Sequence, residues 1–263
     1  MDTQFAGAAK PLDQAGLDAA LGLLGTGAAE LWSVLTVETA GCGFDRYRRP
    51  RILFERHKFS TETGGRYDKD YPDISNPQAG GYGDPDTQYQ RLAAAVALER
   101  KAALHSASWG IAQIMGFNAA AAGYADVEGM VAAMQESEAA QLLAMAHFLK
   151  SSRLDDALRR RDWAGFAAGY NGPGYARNQY DTRLAAAYQG LSGRLPDLQV
   201  RTVQMLLTFL GYKPGPIDGF AGAATVGALT AFYQCERIAP RDQIDEAAAA
   251  ALTRAVQREA APA

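Results

Sequence analysis

Cysteine is scarce in this sequence: the only two, Cys42 and Cys235, fall in different predicted domains. Two such cysteines provide no disulfide framework, so a reducing cytoplasm is the expected site of synthesis. The N-terminal residues also lack the positively charged segment and apolar core of a signal peptide. No apolar run approaches the roughly 18–20 residues that a membrane span needs. The sequence therefore predicts no signal peptide and no membrane insertion.

Neither sign of charge is in large excess. The chain has 26 Lys and Arg against 29 Asp and Glu, for a net charge of −3. Broad attraction to nucleic acid or to an anionic membrane is therefore not expected. The one local basic run is DRYRRPR at residues 45–51. Because charge runs usually face water, we interpret it as a solvated loop.

Histidine is also sparse. His57, His105 and His147 are scattered, and the sequence has no H-E-x-x-H pattern or clustered Cys and His spacing. A bound metal is therefore not expected. The glycine run at residues 80–83 lacks the Lys-Ser/Thr of a phosphate-binding loop, and no cofactor is expected.

The remaining composition is that of a globular protein, since 48% of the 263 residues are hydrophobic. Apolar periodicity predicts helices over residues 17–24, 28–39, 86–104, 126–149, 155–170 and 183–190. Residues 45–90 are predicted to be long loops with one or two short strands or turns. Ser, Gly and Pro cluster at residues 191–196, and three more short helices are predicted at 198–210, 223–235 and 246–257. We predict a mainly α fold with two domains, residues 1–191 and 197–258.

A carboxyl group in an apolar context stands at the end of the second predicted helix. Glu38 follows Leu31 by seven residues and Leu35 by three, which places it on or beside the apolar stripe. Gly41 and Gly43 then end the helix. Burial against apolar groups keeps a carboxyl protonated, as a general acid requires. The alternative is a helix-end carboxylate that faces water.

A second patch, SASWGIAQIMGFN at residues 106–118, has helical periodicity with glycines interposed. Gly110 permits close approach of the backbone to a ligand or a neighbour. Gln113 offers a donor and an acceptor, and Met115 suits an adaptable apolar wall. The alternative is a buried helix that tolerates a glycine.

A third patch is YNGPG at residues 170–174. Tyr170 has a flat face and a polar tip, and Asn171 can cap a helix or bind a ligand. The alternative is an ordinary helix stop. Taken together, the three patches supply an acid, amide partners and an aromatic wall, which a cleft for a sugar polymer needs.

The three patches resemble the signature of lytic transglycosylases and goose-type lysozymes. With the strings ILFERHKF, DISNPQAGGYG, ASWGIAQIMGFN and YNGPGYARNQYD, residues 30–190 more closely resemble the N-acetylmuramidase family of phage endolysins from Gram-negative hosts. The resemblance implies a lysozyme-like α-helical catalytic domain with a short β or loop insert, and Glu38 as the catalytic acid. It also implies a saccharide cleft lined by Gln113, Met115, Tyr170 and Asn171. Ala112 and Gly172 depart from the transglycosylase pattern and leave subsite detail open.

The identity of a second carboxylate is open. An inverting hydrolase needs a base across the sugar, whereas a transglycosylase needs none. Glu55 with His57, in ILFERH, is the preferred polar pair near the acid, with His57 on the substrate side. The alternatives are a structural ion pair of Glu55 with an arginine, or a base at Asp68, Asp70 or Asp73.

The C-terminal residues have their own signature. Val203-Gln204, Leu210-Gly211-Tyr212 and Asp218-Gly219-Phe220 match the pattern of a small three-helix peptidoglycan-binding domain. The resemblance implies that this domain holds the enzyme on its insoluble substrate.

These observations predict an endolysin-type muramidase that cleaves the β-1,4 bond between N-acetylmuramic acid and N-acetylglucosamine of bacterial peptidoglycan. The alternatives are a lytic transglycosylase, a non-catalytic cell-wall-binding protein and a secreted antibacterial effector. The expected protein is a monomer, made in the host cytoplasm and delivered by a holin or a secretion system. It would act on the wall in the periplasm.

Overall fold

The computed structural model describes residues 5–39, 42–239, 241 and 243–260. Over this part of the chain the fold is mainly α-helical, as predicted, with one small antiparallel sheet. The helices described are α1 (Gln14–Leu24), α2 (Ala28–Thr39), α3 (Arg56–Glu62), α4 (Gln88–His105), α5 (Val127–Glu136), α6 (Glu138–Ser151), α7 (Asp155–Arg160), α8 (Trp163–Asn171), α9 (Tyr180–Leu191), α10 (Leu198–Phe209), α11 (Ala223–Glu236) and α12 (Glu246–Ala260). The strands are β1 (Ile52–Phe54), β2 (Ala107–Trp109) and β3 (Ile114–Met115). Of the two glycines predicted to end α2, Gly41 lies outside the described residues.

Polar residues determine where several helices begin. Asp13 accepts a hydrogen bond from the first turn of α1, which therefore begins three residues before the predicted start. The predicted helix over 126–149 is two helices, because Ser137 has an extended backbone and its Oγ accepts from Ala140 N at 3.1 Å. Such a cap contributes about 1 kcal/mol. The predicted helix over 155–170 also divides, at Arg161 in the left-handed region and at Asp162, which caps α8.

The segment 106–118 is not an α-helix, contrary to the interpretation of its periodicity: it forms two short strands and then a 3-10 turn over Gly116–Asn118. β2 pairs antiparallel with β1 on one side and with β3 on the other. Gly110 (φ +72°) and Gln113 (φ +50°) adopt left-handed conformations in the turn between β2 and β3. Periodicity alone does not separate a short apolar strand from a helix segment. α3, which follows β1 inside the predicted loop region, was not predicted.

The helices surround two hydrophobic cores. α1–α9 and the sheet enclose the larger one, which contains the fully buried rings of Trp109 and Phe166. α10–α12 enclose the smaller one, around Phe232 and Leu252. The predicted division into domains 1–191 and 197–258 stays a prediction, because the two groups of helices also pack against each other. Within the described residues no single helix is long and apolar enough to cross a membrane. Only α1 and Ala28–Glu38 taken together have the length and composition for this, and the two are bent by 105°.

We call the contact region between these two groups the seam. On its apolar side, Met205 and Ile217 from the C-terminal group pack against Ala9, Cys42 and Phe44. The last two follow α2, so the seam reaches the chain just beyond Glu38.

A buried ion pair crosses the seam. The side chains of Glu138 in α6 and Arg201 in α10 are 0% and 1% exposed. Arg201 Nη2 donates to Glu138 Oε1 at 2.6 Å, and Nη1 donates to Oε2. The same carboxylate accepts from Leu12 N at 3.0 Å and from Gly43 N at 2.9 Å. Because both charges are removed from water, each depends on the other for compensation.

Candidate active site

Glu38 lies in the last turn of α2, where α9 packs against that helix. Its carboxyl is largely enclosed, and burial raises its pKa above the ordinary value of 4.5. The Tyr180 hydroxyl donates to Glu38 Oε1, and the positive charge of Arg183 is nearby. Both of these lower the pKa, but they do not offset the effect of burial, and the net shift is upward.

Two tyrosine hydroxyls organise the surroundings of Glu38. Tyr180 also forms a side-chain hydrogen bond with Asn171, while the Tyr170 hydroxyl donates to Ala112 O at 2.7 Å. Burial and the Glu38 charge raise the pKa of both tyrosines, so both remain protonated donors. The Tyr170 ring stacks on Phe166 with 5.3 Å between centroids. Tyr170 is therefore packed into the core beside the acid, and its hydroxyl supports the turn before β3.

Hydrogen bonds from the side-chain amide fix Gln113 in position. Its Nε2 donates to Gly110 O at 2.9 Å and to Arg51 O at 3.1 Å, and its Oε1 accepts from Ser108 Oγ at 2.8 Å. These bonds join the β2–β3 turn to the residue before β1. Met115, in β3, is half-buried and pairs with Ser108. Gln113 thus shapes the wall of the site through backbone contacts.

Gly110 has a structural reason to lack a side chain. A Cβ on Gly110 would lie 2.8 Å from the Gln141 side chain, and a Cβ on Gly43 would lie 1.8 Å from Gln141 Oε1. That oxygen accepts from Ile111 N at 2.8 Å. The buried amide of Gln141 in α6 therefore fixes the hairpin turn beside the chain that follows α2. Sequence analysis did not single out Gln141, and a lone Gln in an Ala- and Leu-rich helix was the available signal.

Glu55 lies between β1 and α3, with its backbone N bonded to Ser106 O at 2.9 Å. Its Oε2 is 3.2 Å from His57 Nδ1 but lacks hydrogen-bond geometry, and this nitrogen is buried with no hydrogen-bond partner among the described residues. No arginine of the described residues forms an ion pair with Glu55, so the structural pairing with Arg51 or Arg56 is not found. Side chains two residues apart in an extended strand point to the same face, so Glu55 lies on the same face as Leu53.

The aspartates proposed as alternative bases differ in their surroundings. Asp68 accepts from Ser60 Oγ at 3.0 Å and from Ser75 Oγ, so its carboxylate holds loops together. Asp70 and Asp73 are exposed. The described residues also contain no group of three or more His, Cys, Asp or Glu side chains placed to hold a metal ion.

A cleft of about 910 Å³ runs past Glu38. Its lining residues are Glu38, Asp45, Arg46, Tyr47, Arg49, Arg51, Ile52, Leu53, Gly83, Pro85, Asp86, Gln88, Tyr89, Gln113 and Thr208. Of the residues named from the sequence, Glu38 and Gln113 line this cleft. Glu55, His57, Met115, Tyr170 and Asn171 do not. Asn171 is linked to Glu38 through Tyr180, and Tyr170 is close enough for the Glu38 charge to raise its pKa.

Two features of the site were missed in the sequence. Tyr180, the direct partner of Glu38, is 142 residues away in the chain, and its only signal was its place in the string YNGPGYARNQYD. The basic run 45–51, interpreted as a solvated loop, forms one wall of the cleft.

Comparison with known proteins relates the chain to one family and to a solved structure. Residues 27–192 match the family model described as Muramidase: N-acetylmuramidase. The crystal structure of a Burkholderia AP3 phage endolysin is similar, with a TM-score of 0.64 and 39% sequence identity over 70% of this chain and 71% of that chain. No curated protein matches the chain. The shared fold agrees with the predicted lysozyme-like helical architecture.

Proposed function

The chain belongs to the N-acetylmuramidase family, and on that premise we propose that it cleaves the β-1,4 bond between N-acetylmuramic acid and N-acetylglucosamine, with Glu38 as the general acid. The protein is a glycoside hydrolase whose substrate is peptidoglycan, and it acts on the cell wall.

The observation that carries the assignment is the environment of Glu38. A general acid must hold its proton near neutral pH, and a buried carboxyl with a raised pKa meets this requirement. Because Tyr180 donates to Oε1, the acid proton belongs on Oε2. From there it would pass to the glycosidic oxygen as the bond to the anomeric carbon breaks.

Glu55 is our candidate for the residue that positions the attacking water. The carboxylate has no arginine partner among the described residues and lies next to an unsatisfied imidazole nitrogen of His57. A water molecule held between Glu55 and the sugar would complete an inverting hydrolysis. If Glu55 serves no such role, the remaining routes are another base, at Asp68, Asp70 or Asp73, or that of a lytic transglycosylase, in which the 6-hydroxyl of the substrate attacks.

The C-terminal helices are proposed to bind peptidoglycan. Gln204 supports the loop that carries Asp218-Gly219-Phe220, since its Oε1 accepts from Gly219 N at 2.9 Å and its Nε2 donates to Asp218 Oδ1 at 3.1 Å. Thr208 of the same group reaches the cleft. Binding there would raise the local concentration of wall at the acid. Action as a monomer in the periplasm, after delivery by a holin or a secretion system, stays a prediction.

Mass spectrometry of digested peptidoglycan tests the proposed chemistry. Hydrolysis of the stated bond gives fragments with reducing N-acetylmuramic acid ends. Fragments with 1,6-anhydro ends would instead assign the transglycosylase route, and reducing N-acetylglucosamine ends would contradict the proposed bond.

A further inference from the structure

Residues 45–51 form a rigid loop on one wall of the cleft. Asp45 Oδ1 accepts from Tyr47 N at 2.8 Å and from Arg49 N at 3.0 Å. The turn closes with Arg48 in the left-handed region (φ +62°), and Arg48 N donates to Asp45 O at 3.0 Å. The loop therefore holds its shape by its own hydrogen bonds before any ligand arrives.

The arginines of this loop have different surroundings. Arg49 is neutralised by Asp45, with 2.7 Å between Nη2 and Oδ2, and its guanidinium packs over the Tyr89 ring at 4.0 Å. Arg46 and Arg51 are exposed and line the cleft. Neither forms an ion pair with a carboxylate of the described residues. Two positive charges thus face the cleft without a local counter-charge in contact.

An exposed aromatic ring packs against two of the arginines, Arg46 and Arg49. Tyr47 is 38% exposed at the tip of the loop, with the guanidinium of Arg46 at 4.5 Å and that of Arg49 at 4.9 Å from its ring centroid. This stacking limits the rotamers of Arg46, so less side-chain entropy is lost when its donors bind an anion.

We propose that Arg46 and Arg51 form a subsite for the carboxylates of the peptide stems that the glycan carries. The proposal rests on the proposed function, because the cleft must bind the peptidoglycan strand for the stems to meet the loop. The sugar rings offer neutral hydroxyl and acetamido groups, whereas the stems offer carboxylates. Guanidinium groups match carboxylates in charge and in geometry.

The test measures binding of two soluble glycan fragments. One keeps its peptide stems. From the other an amidase has removed them, and the lactyl carboxylate that this frees on each N-acetylmuramic acid has been converted to its neutral methylamide. All measurements use the Glu38→Gln background, so that turnover does not interfere. Arg46→Gln and Arg51→Gln are compared with Arg48→Gln, which removes the same charge from the same loop but not from the cleft lining.

The starting protein is expected to prefer the stem-bearing fragment. Each of Arg46→Gln and Arg51→Gln should lower that preference about tenfold, the effect of one hydrogen bond between charged groups. Arg48→Gln should keep it. Raising the salt concentration should weaken the preference, because exposed charges are screened.

An Arg46→Gln/Arg51→Gln double variant with an unchanged preference would overturn the subsite, as would an equal loss in Arg48→Gln. Failure of the proposed function looks different: Glu38→Gln would then retain turnover of the stripped fragment, whatever the arginine variants bind.

Discussion

Two glutamates with enclosed carboxyl groups have opposite surroundings in this protein. Glu38, at the cleft, is enclosed with a phenol hydroxyl as its hydrogen-bond donor and an arginine only nearby. Glu138, at the seam, has a bidentate contact with Arg201 and two backbone donors. Burial favours a neutral carboxyl only where cations and donors do not compensate the charge. The same residue type is thus suited to proton donation in one region and to holding two groups of helices together in the other.

Identical substitutions at these two positions provide the largest contrast. Glu38→Gln should lower turnover by about 10²–10⁴-fold and leave the fold intact, because the amide keeps the size of the side chain but cannot donate the proton. Glu138→Gln should destabilise the protein by about 3–5 kcal/mol, because Arg201 is left buried without its counter-charge. Chemical denaturation and turnover per folded molecule separate the two effects. Glu138→Gln with full stability would show that the seam does not depend on the ion pair.

The second prediction concerns the ion pair itself. Arg201→Met removes the other partner and should also cost about 3–5 kcal/mol of unfolding free energy. Glu138→Gln/Arg201→Met should be less destabilised than the sum of the single variants, since no charge is left buried. A strictly additive double variant would contradict coupling across the seam.

Glu55→Gln should lower turnover about a hundredfold or more and leave glycan binding largely unchanged, if the carboxylate positions water. The matched control is Glu62→Gln, which disrupts another glutamate–histidine pair of the same region, Glu62 with His105 at 3.0 Å. The control should keep its turnover. Near-normal turnover by Glu55→Gln would remove it from the mechanism and leave either another base or the transglycosylase route.

Tyr180→Phe should move the alkaline limb of kcat/KM to higher pH. The Tyr180 hydrogen bond lowers the pKa of Glu38, so its loss raises that pKa further and extends the range in which the acid is protonated. Tyr188→Phe, in the same helix, removes a hydroxyl that accepts from Arg161 at 2.9 Å and should leave the limb in place. A shift to lower pH would contradict the assigned direction.

The smallest effect is on the pH dependence of stability. The raised pKa of folded Glu38 contributes stability that is fully present below its unfolded value and is lost as pH rises through the folded value. The Tm of Glu38→Gln relative to the parent should therefore be higher at pH 7 than at pH 4. A difference that is constant with pH would indicate that the carboxyl titrates normally in the folded protein.

The sequence predicted what depends on local pattern. α2 has the predicted bounds because Leu31 and Leu35 set a clear helical stripe, and Glu38 falls at its end as expected. The prediction for the β2–β3 hairpin was wrong. Its pairing with β1 is non-local, and its short apolar run fits the helical period as well as the strand period. The single residue Ser137 divided a helix that composition alone would continue.

Local sequence patterns could not predict contacts between distant parts of the chain. Tyr180 is 142 residues from Glu38, and Arg201 is 63 residues from Glu138. Nothing in the local sequence pairs these residues. For the same reason the basic run 45–51 gave no sign that folding would place it along the cleft.

The proposed chemistry requires that enclosure keep the Glu38 carboxyl protonated at pH values above its ordinary pKa. A carboxyl ¹³C NMR titration of the folded protein measures this directly, with Glu38→Gln identifying the resonance. We predict a midpoint above 4.5 for this carboxyl. A midpoint at or below 4.5 would contradict it.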